Sequence, residues 1–177
     1  MVMKNLLLFI AISLLICSCH PVQAPKIKDE DLMVMHFLIE RTSPDTVKKY
    51  INYYVQQYDL PQTAREMKDG VYTGASPYDD YGYRHDIHFT VKNGQFTNIS
   101  YDEVKSDGHS KATDTSYCRQ MNDAVMGSAP NLTYPNYIRQ LAQKQDLSKI
   151  DGVTGATYSL YRFRYAAMKA LLNGAEK

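Results

Sequence analysis

The stretch from His85 to Tyr101 limits what this chain can fold into more than any other. His85, Ile87, Phe89 and Val91 alternate with Asp86, His88 and Thr90. A period of two places the first set on one face, which is the pattern of a strand with one side buried. Asn93-Gly94 follows. Both residues tolerate positive φ, so they suit a two-residue hairpin turn. The chain then returns as a second strand from Phe96 to Tyr101. Its alternation breaks between Phe96 and Ile99, as a β-bulge or a shifted register would cause. Upstream, Asp69-Gly70-Val71-Tyr72-Thr73-Gly74 reads as a first strand, followed by a polar turn from Ser76 to Gly82.

Helical signals surround this sheet. Ser43-Pro44-Asp45 combines a cap, a proline for the first turn and an acidic residue near the positive dipole end. Val47, Tyr50, Ile51, Tyr54, Val55 and Tyr58 follow at helical spacing until Pro61. Asp102 to Lys111 reads as a charged loop. After Thr113 and Asp114, a helix with Tyr117, Met121, Ala124 and Val125 on one face is expected to end at Gly127. Tyr134-Pro135 is expected to open another, with Tyr137, Ile138 and Leu141 inward. A last helix begins near Thr157, carries Leu160, Phe163, Ala167 and Leu171 on one stripe, and runs to about Leu172. The predicted fold class is α+β, a small antiparallel β-sheet with packed helices, preceded by an N-terminal helix and a tether. An apolar content of 44% over 177 residues is enough for a packed core.

The N-terminus reads as a targeting segment. Lys4 precedes an apolar run from Leu6 to Ile16, too short for a comfortable membrane span. The run ends in Ile16-Cys17-Ser18-Cys19, which resembles a bacterial lipobox with Cys19 as the lipid-bearing residue. An ordinary cleaved signal peptide and an uncleaved anchor are the alternatives. The expected layout is a lipoprotein signal peptide over 1–18, a tether over 19–42, an N-terminal helical segment over 43–66 and one domain over 67–174. Cleavage before Cys19 leaves Cys118 as the single free cysteine, so no internal disulfide is available. It also removes Lys4 and brings the formal charge of +1 to zero. That balance gives no support for nucleic-acid binding, and the lipid rather than a basic patch must hold the protein at the bilayer.

The chemistry-bearing stretch lies near the end: Asp151-Gly152-Val153-Thr154-Gly155-Ala156-Thr157-Tyr158-Ser159. Thr154 is expected to cap the helix that starts near Thr157, with Gly155 supplying a tight turn. The free N–H groups and dipole of a helix start favour a phosphate there. The run resembles the flavinylation motif Asp-x-x-Ser/Thr-Gly-Ala-Thr of the FMN-binding domain family. That family includes the periplasmic flavin subunits of sodium-pumping and Rnf-type redox complexes and the flavin lipoproteins of extracellular electron transfer. Gly70-Val71-Tyr72-Thr73-Gly74, Tyr101-Asp102-Glu103-Val104, Asp107-Gly108 and Ser110-Lys111 resemble its lipoprotein branch.

The resemblance implies FMN linked through its phosphate to Thr157, with Thr154, Gly155, Ala156 and Asp151 forming the rest of the motif. It also implies a Mg-dependent flavin transferase that uses FAD and releases AMP. No base lies beside Thr157 in sequence, which agrees with attachment by a separate enzyme. Tyr158 and Ser159 complete the candidate cofactor-binding loop. Tyr72, Tyr83 and Tyr101 are candidates for stacking on the ring, Met121 for an apolar wall, and Lys111 for balancing a phosphate or a reduced flavin. Asp151 either serves recognition by the transferase or caps the turn. His85 and His88 fall on opposite strand faces, which is wrong for shared metal ligation.

The function implied is a membrane-anchored extracytoplasmic electron carrier, tethered at Cys19, between a membrane redox donor and an extracytoplasmic acceptor. Two alternatives are a flavin-dependent reductase of a small molecule and a flavin-free surface binding module.

Overall fold

The computed structural model describes residues 43–176. The expected signal peptide, tether and lipid-bearing Cys19 lie outside them. Helix α1, Pro44–Gln57, starts as its sequence dictates: Pro44 occupies the first turn and the Ser43 hydroxyl accepts the Thr46 N–H at 3.4 Å. Val47, Ile51 and Tyr54 are its buried stripe. A short 3-10 turn, Ala64–Glu66, is closed by a capping box, in which the Glu66 carboxylate accepts the Thr63 N–H at 3.0 Å.

Three antiparallel strands follow in the order β1 (Gly70–Ala75), β2 (Tyr83–Lys92) and β3 (Gln95–Lys105). Every second residue of β2 from Tyr83 to Val91 is buried, as the alternation requires. Asn93 and Gly94 take φ of 52° and 70°, and Lys92 pairs with Gln95 across the turn. The broken alternation of β3 is a bulge. Thr90 pairs with Thr97, but His88 pairs with Ser100, so Asn98 and Ile99 oppose Phe89 alone. Asn98 absorbs the kink at φ 48°.

Three expectations need correction. Strand β3 does not end at Tyr101; it runs to Lys105 and buries Glu103 inside what reads as a charged loop. The carboxylate is accommodated there because two cations meet it. Helix α2, Thr115–Ala124, buries Cys118, whereas Tyr117 and Met121 are half-buried, Ala124 is exposed and Val125 lies past the end. Helix α3, Pro130–Lys144, starts a turn earlier than Tyr134-Pro135. Pro130 fills the first-turn position and Pro135 sits inside the helix, where its ring removes one donor.

Helix α4, Thr157–Asn173, is the spine of the core. Leu160, Phe163, Ala167 and Leu171 are buried as expected, but so are Tyr161, Tyr165, Ala166, Met168 and Ala170. The helix packs on β1 and β2 with one side and on α1 with another, so nearly its whole girth is covered. At Gly74 it lies so close to the sheet that a Cβ would run into the Ala166 carbonyl oxygen and the Ala170 backbone nitrogen. Helix α3 covers β3. Among the described residues, no helix is long and apolar enough to cross a membrane.

Candidate functional site

The loop from Asp151 to Ala156 is held by one stripe of α3. The Gln140 side-chain amide makes two hydrogen bonds to the backbone of Asp151, accepting its N–H at 2.8 Å and donating to its carbonyl at 3.0 Å. One turn further, the Lys144 ammonium donates to the Asp151 carboxylate at 2.5 Å and to the Lys149 carbonyl at 2.7 Å. One turn earlier, the Tyr137 hydroxyl donates to the Ala156 carbonyl at 3.2 Å. Residues 137, 140 and 144 share a helix face, so a single rigid element fixes both ends of the loop. Arg164 of α4 braces its approach, donating to the Ser148 and Ile150 carbonyls.

Within the loop, Gly155 takes φ of 79°, and a Cβ there would lie 2.7 Å from Cβ of Val125. Glycine is needed for both reasons. Thr154 does not cap α4. The N-cap is Ala156, and no side chain satisfies the helix start. The helix therefore starts two residues later than a Thr154 cap would set it, with Ala156 buried and its carbonyl held by Tyr137. Thr157 is the first helical residue and is exposed, as are Thr154 and Tyr158; Ser159 is half-buried. The result is an uncapped helix N-terminus, with its partial positive charge, opening beside an accessible threonine. Asp151 is 82% exposed at its side chain and serves Lys144, not the turn.

Of the other candidates, Tyr72, Tyr83 and Tyr101 lie in the interior, and Met121 is half-buried. Tyr101 is enclosed, with its ring edge-on to Tyr134 and Phe163 at 5.1 and 5.0 Å, so it offers no face for stacking. Tyr72 is stacked on Phe89. Lys111 is bound to Glu103 and lies over the rings of Tyr83 and Tyr117, 4.9 and 5.3 Å from their centroids. It is a buried staple, not a solvated cation at the loop.

Sequence reasoning missed the group that Lys111 belongs to. Glu103 is 1% exposed and takes Lys111 on one oxygen and Arg162 of α4 on the other, the latter at 3.5 Å. His85 stands 3.5 Å from the same carboxylate and from the Tyr101 hydroxyl. Burial alone would push the Glu103 carboxyl up, but His85, Lys111 and Arg162 outweigh it and bring it to about 2. Burial pulls the His85 imidazole down to about 4, against the pull of Glu103. At neutral pH the cluster is therefore an ionised carboxylate, two cations and a neutral imidazole. The only sequence signal for it was the period of two carried on from Tyr101 to Glu103.

No described family profile matches the chain. A curated relative does: the 15 kDa lipoprotein of Treponema pallidum is 30% identical over 100 residues, spanning 56% of this chain and 70% of that protein. The chain belongs to the family of this lipoprotein. The fold has a solved counterpart in a Clostridium perfringens protein of known crystal structure. It is 33% identical with a TM-score of 0.55, covering 61% of this chain and 88% of that one.

Proposed function

We propose that this family member is a membrane-anchored, extracytoplasmic electron carrier with FMN linked through its phosphate to Thr157. The observation that carries the reading is an exposed threonine at the uncapped start of α4, closing a complete Asp151 to Thr157 motif. A helix start of this kind favours the phosphate of the linkage, and exposure leaves the hydroxyl open to a modifying enzyme. Bound there, the flavin would supply reversible electron storage, while the chain holds it.

Attachment is a phosphoryl-type transfer. The Thr157 hydroxyl oxygen would bond to the FMN phosphorus of FAD as the bond to the AMP phosphate breaks, so that AMP would leave with the electron pair. The hydroxyl proton passes to a base of the Mg-dependent transferase. The role left to this chain is to present the threonine rigidly, which Tyr137, Gln140 and Gly155 do.

Anchoring rests on the lipobox-like Cys19 and on the lipoprotein relative. A donor in the membrane and an acceptor outside the cytoplasm are the partners that this reading implies. The test is in-gel flavin fluorescence after denaturation, from a host with the transferase. Wild type is expected to fluoresce and Thr157→Ala to be dark. A dark wild-type band would overturn the reading. Intact mass of membrane-extracted protein, compared with Cys19→Ser, reports the lipid independently.

A further inference from the structure

The turn that closes helix α2 touches the Thr157 loop and projects apolar side chains into solvent. Val125 packs directly on the Gly155 backbone, two residues from Thr157. Val125 is 37% exposed and its neighbour Met126 is 88% exposed, the highest value for a large hydrophobic residue among the described residues. We propose that Val125 and Met126 form the apolar ledge on which the flavin ring rests. The inference depends on flavin attachment at Thr157.

Met126 is not exposed for want of local structure. The Val125 N–H donates to the Met121 carbonyl at 3.0 Å, and the Ser128 N–H to the Val125 carbonyl at 3.1 Å. The Gly127 N–H donates to the Asn122 side chain at 2.8 Å, and the Ser128 hydroxyl to the Met121 carbonyl at 2.9 Å. A hydrogen-bonded turn thus holds a methionine out in water, a placement that gains nothing for the free protein. The run Ala124-Val125-Met126-Gly127-Ser128-Ala129 carries no charge. A neutral, polarisable surface suits a flat aromatic face, and a thioether packs favourably on such rings. The ring, tethered to Thr157 by its own phosphate, is the one large apolar group that chemistry places beside this surface. Coverage by the ledge would shield one face of the ring and leave the other open to a redox partner.

The experiment uses full-length protein flavinylated by the transferase and measures iodide quenching of flavin fluorescence for wild type, Met126→Asn and Val125→Thr. A Tyr53→Ser control alters an exposed large hydrophobic residue elsewhere, on α1. Flavin stoichiometry should stay the same throughout. The quenching constant should rise by about twofold or more in Met126→Asn, less in Val125→Thr, and not at all in the control. Equal quenching in all four proteins would overturn the ledge while leaving attachment at Thr157 intact. A wild type without flavin would overturn both, and stoichiometry tells the two failures apart. Met126 is so exposed that its substitution leaves the fold unaffected, which far-UV circular dichroism checks.

Discussion

The Lys111 ammonium closes on the Glu103 carboxylate inside the protein, beneath the rings of Tyr83 and Tyr117. The pair joins β3 to the segment ahead of α2, and Arg162 ties the same carboxylate to α4. Removing the anion leaves two cations facing each other in a site of low dielectric. Glu103→Gln is therefore expected to lower unfolding free energy by about 3 kcal/mol, and Lys111→Met by less, because Arg162 still pairs with Glu103. Urea denaturation of both variants measures the difference.

Acid should destabilise the fold in two steps. His85 has an ordinary value of 6.5 but about 4 when folded. The unfolded chain takes up this proton first, so stability is full above 6.5 and is lost as pH falls toward 4. Glu103 moves from 4.5 to about 2, and its contribution is present above 4.5 and lost as pH falls through 2. The His85 step amounts to about 3 kcal/mol. Chemical denaturation at a series of pH values should show stability falling below pH 6.5, and His85→Gln should flatten the upper part of that slope.

Gly74→Ala should be among the most damaging single changes. Its Cβ would press on the backbone of α4 at Ala166 and Ala170, which cannot move without lifting the helix from β1. A loss of about 3 kcal/mol is expected, read as a drop in Tm by calorimetry.

Gly155→Ala combines a left-handed backbone with a collision against Val125. About 2 kcal/mol of strain is expected at this one position. Because the strain falls on the loop, flavin loading should drop alongside Tm. Val125→Gly in the same chain should restore part of both, since it removes the collision but not the backbone strain.

Asp151→Asn should leave Tm unchanged. The carboxylate is held below its ordinary value by a hydrogen bond and the charge of Lys144, but it stands in solvent. The Gln140 amide holds the backbone of Asp151 whatever its side chain. A slower rate of flavin attachment at constant Tm, followed by fluorescence, would assign Asp151 to recognition. An unchanged rate would make it dispensable.

Local signals fixed the hairpin, the Ser43-Pro44 helix start and the beginning of α4 at Thr157. In each, the deciding interaction is made within a few residues: a turn with two positive φ values, a hydroxyl on a nearby N–H, a stripe at helical spacing. The tight turn at Gly155 was legible for the same reason, although the cap expected at Thr154 falls instead at Ala156. Where α3 begins was misjudged because Pro130 and Pro135 both look like first-turn residues, and local sequence does not rank them.

What the chain carries in its own order is the sheet, the helices and the threonine at position 157. Tertiary structure alone decided the rest. It turned the apparent loop at Glu103 into a buried strand end, because Lys111 and Arg162 arrive from distant segments to neutralise it. It set Tyr101 in the core and Lys111 on Glu103, so neither is left to meet a flavin as the sequence suggested, and it chose Gln140 and Tyr137 to hold the motif and Val125 to press against it. Those choices depend on which surfaces meet when α3 and α4 fold over the sheet. A pairing between residues far apart in sequence leaves no periodic trace in either segment.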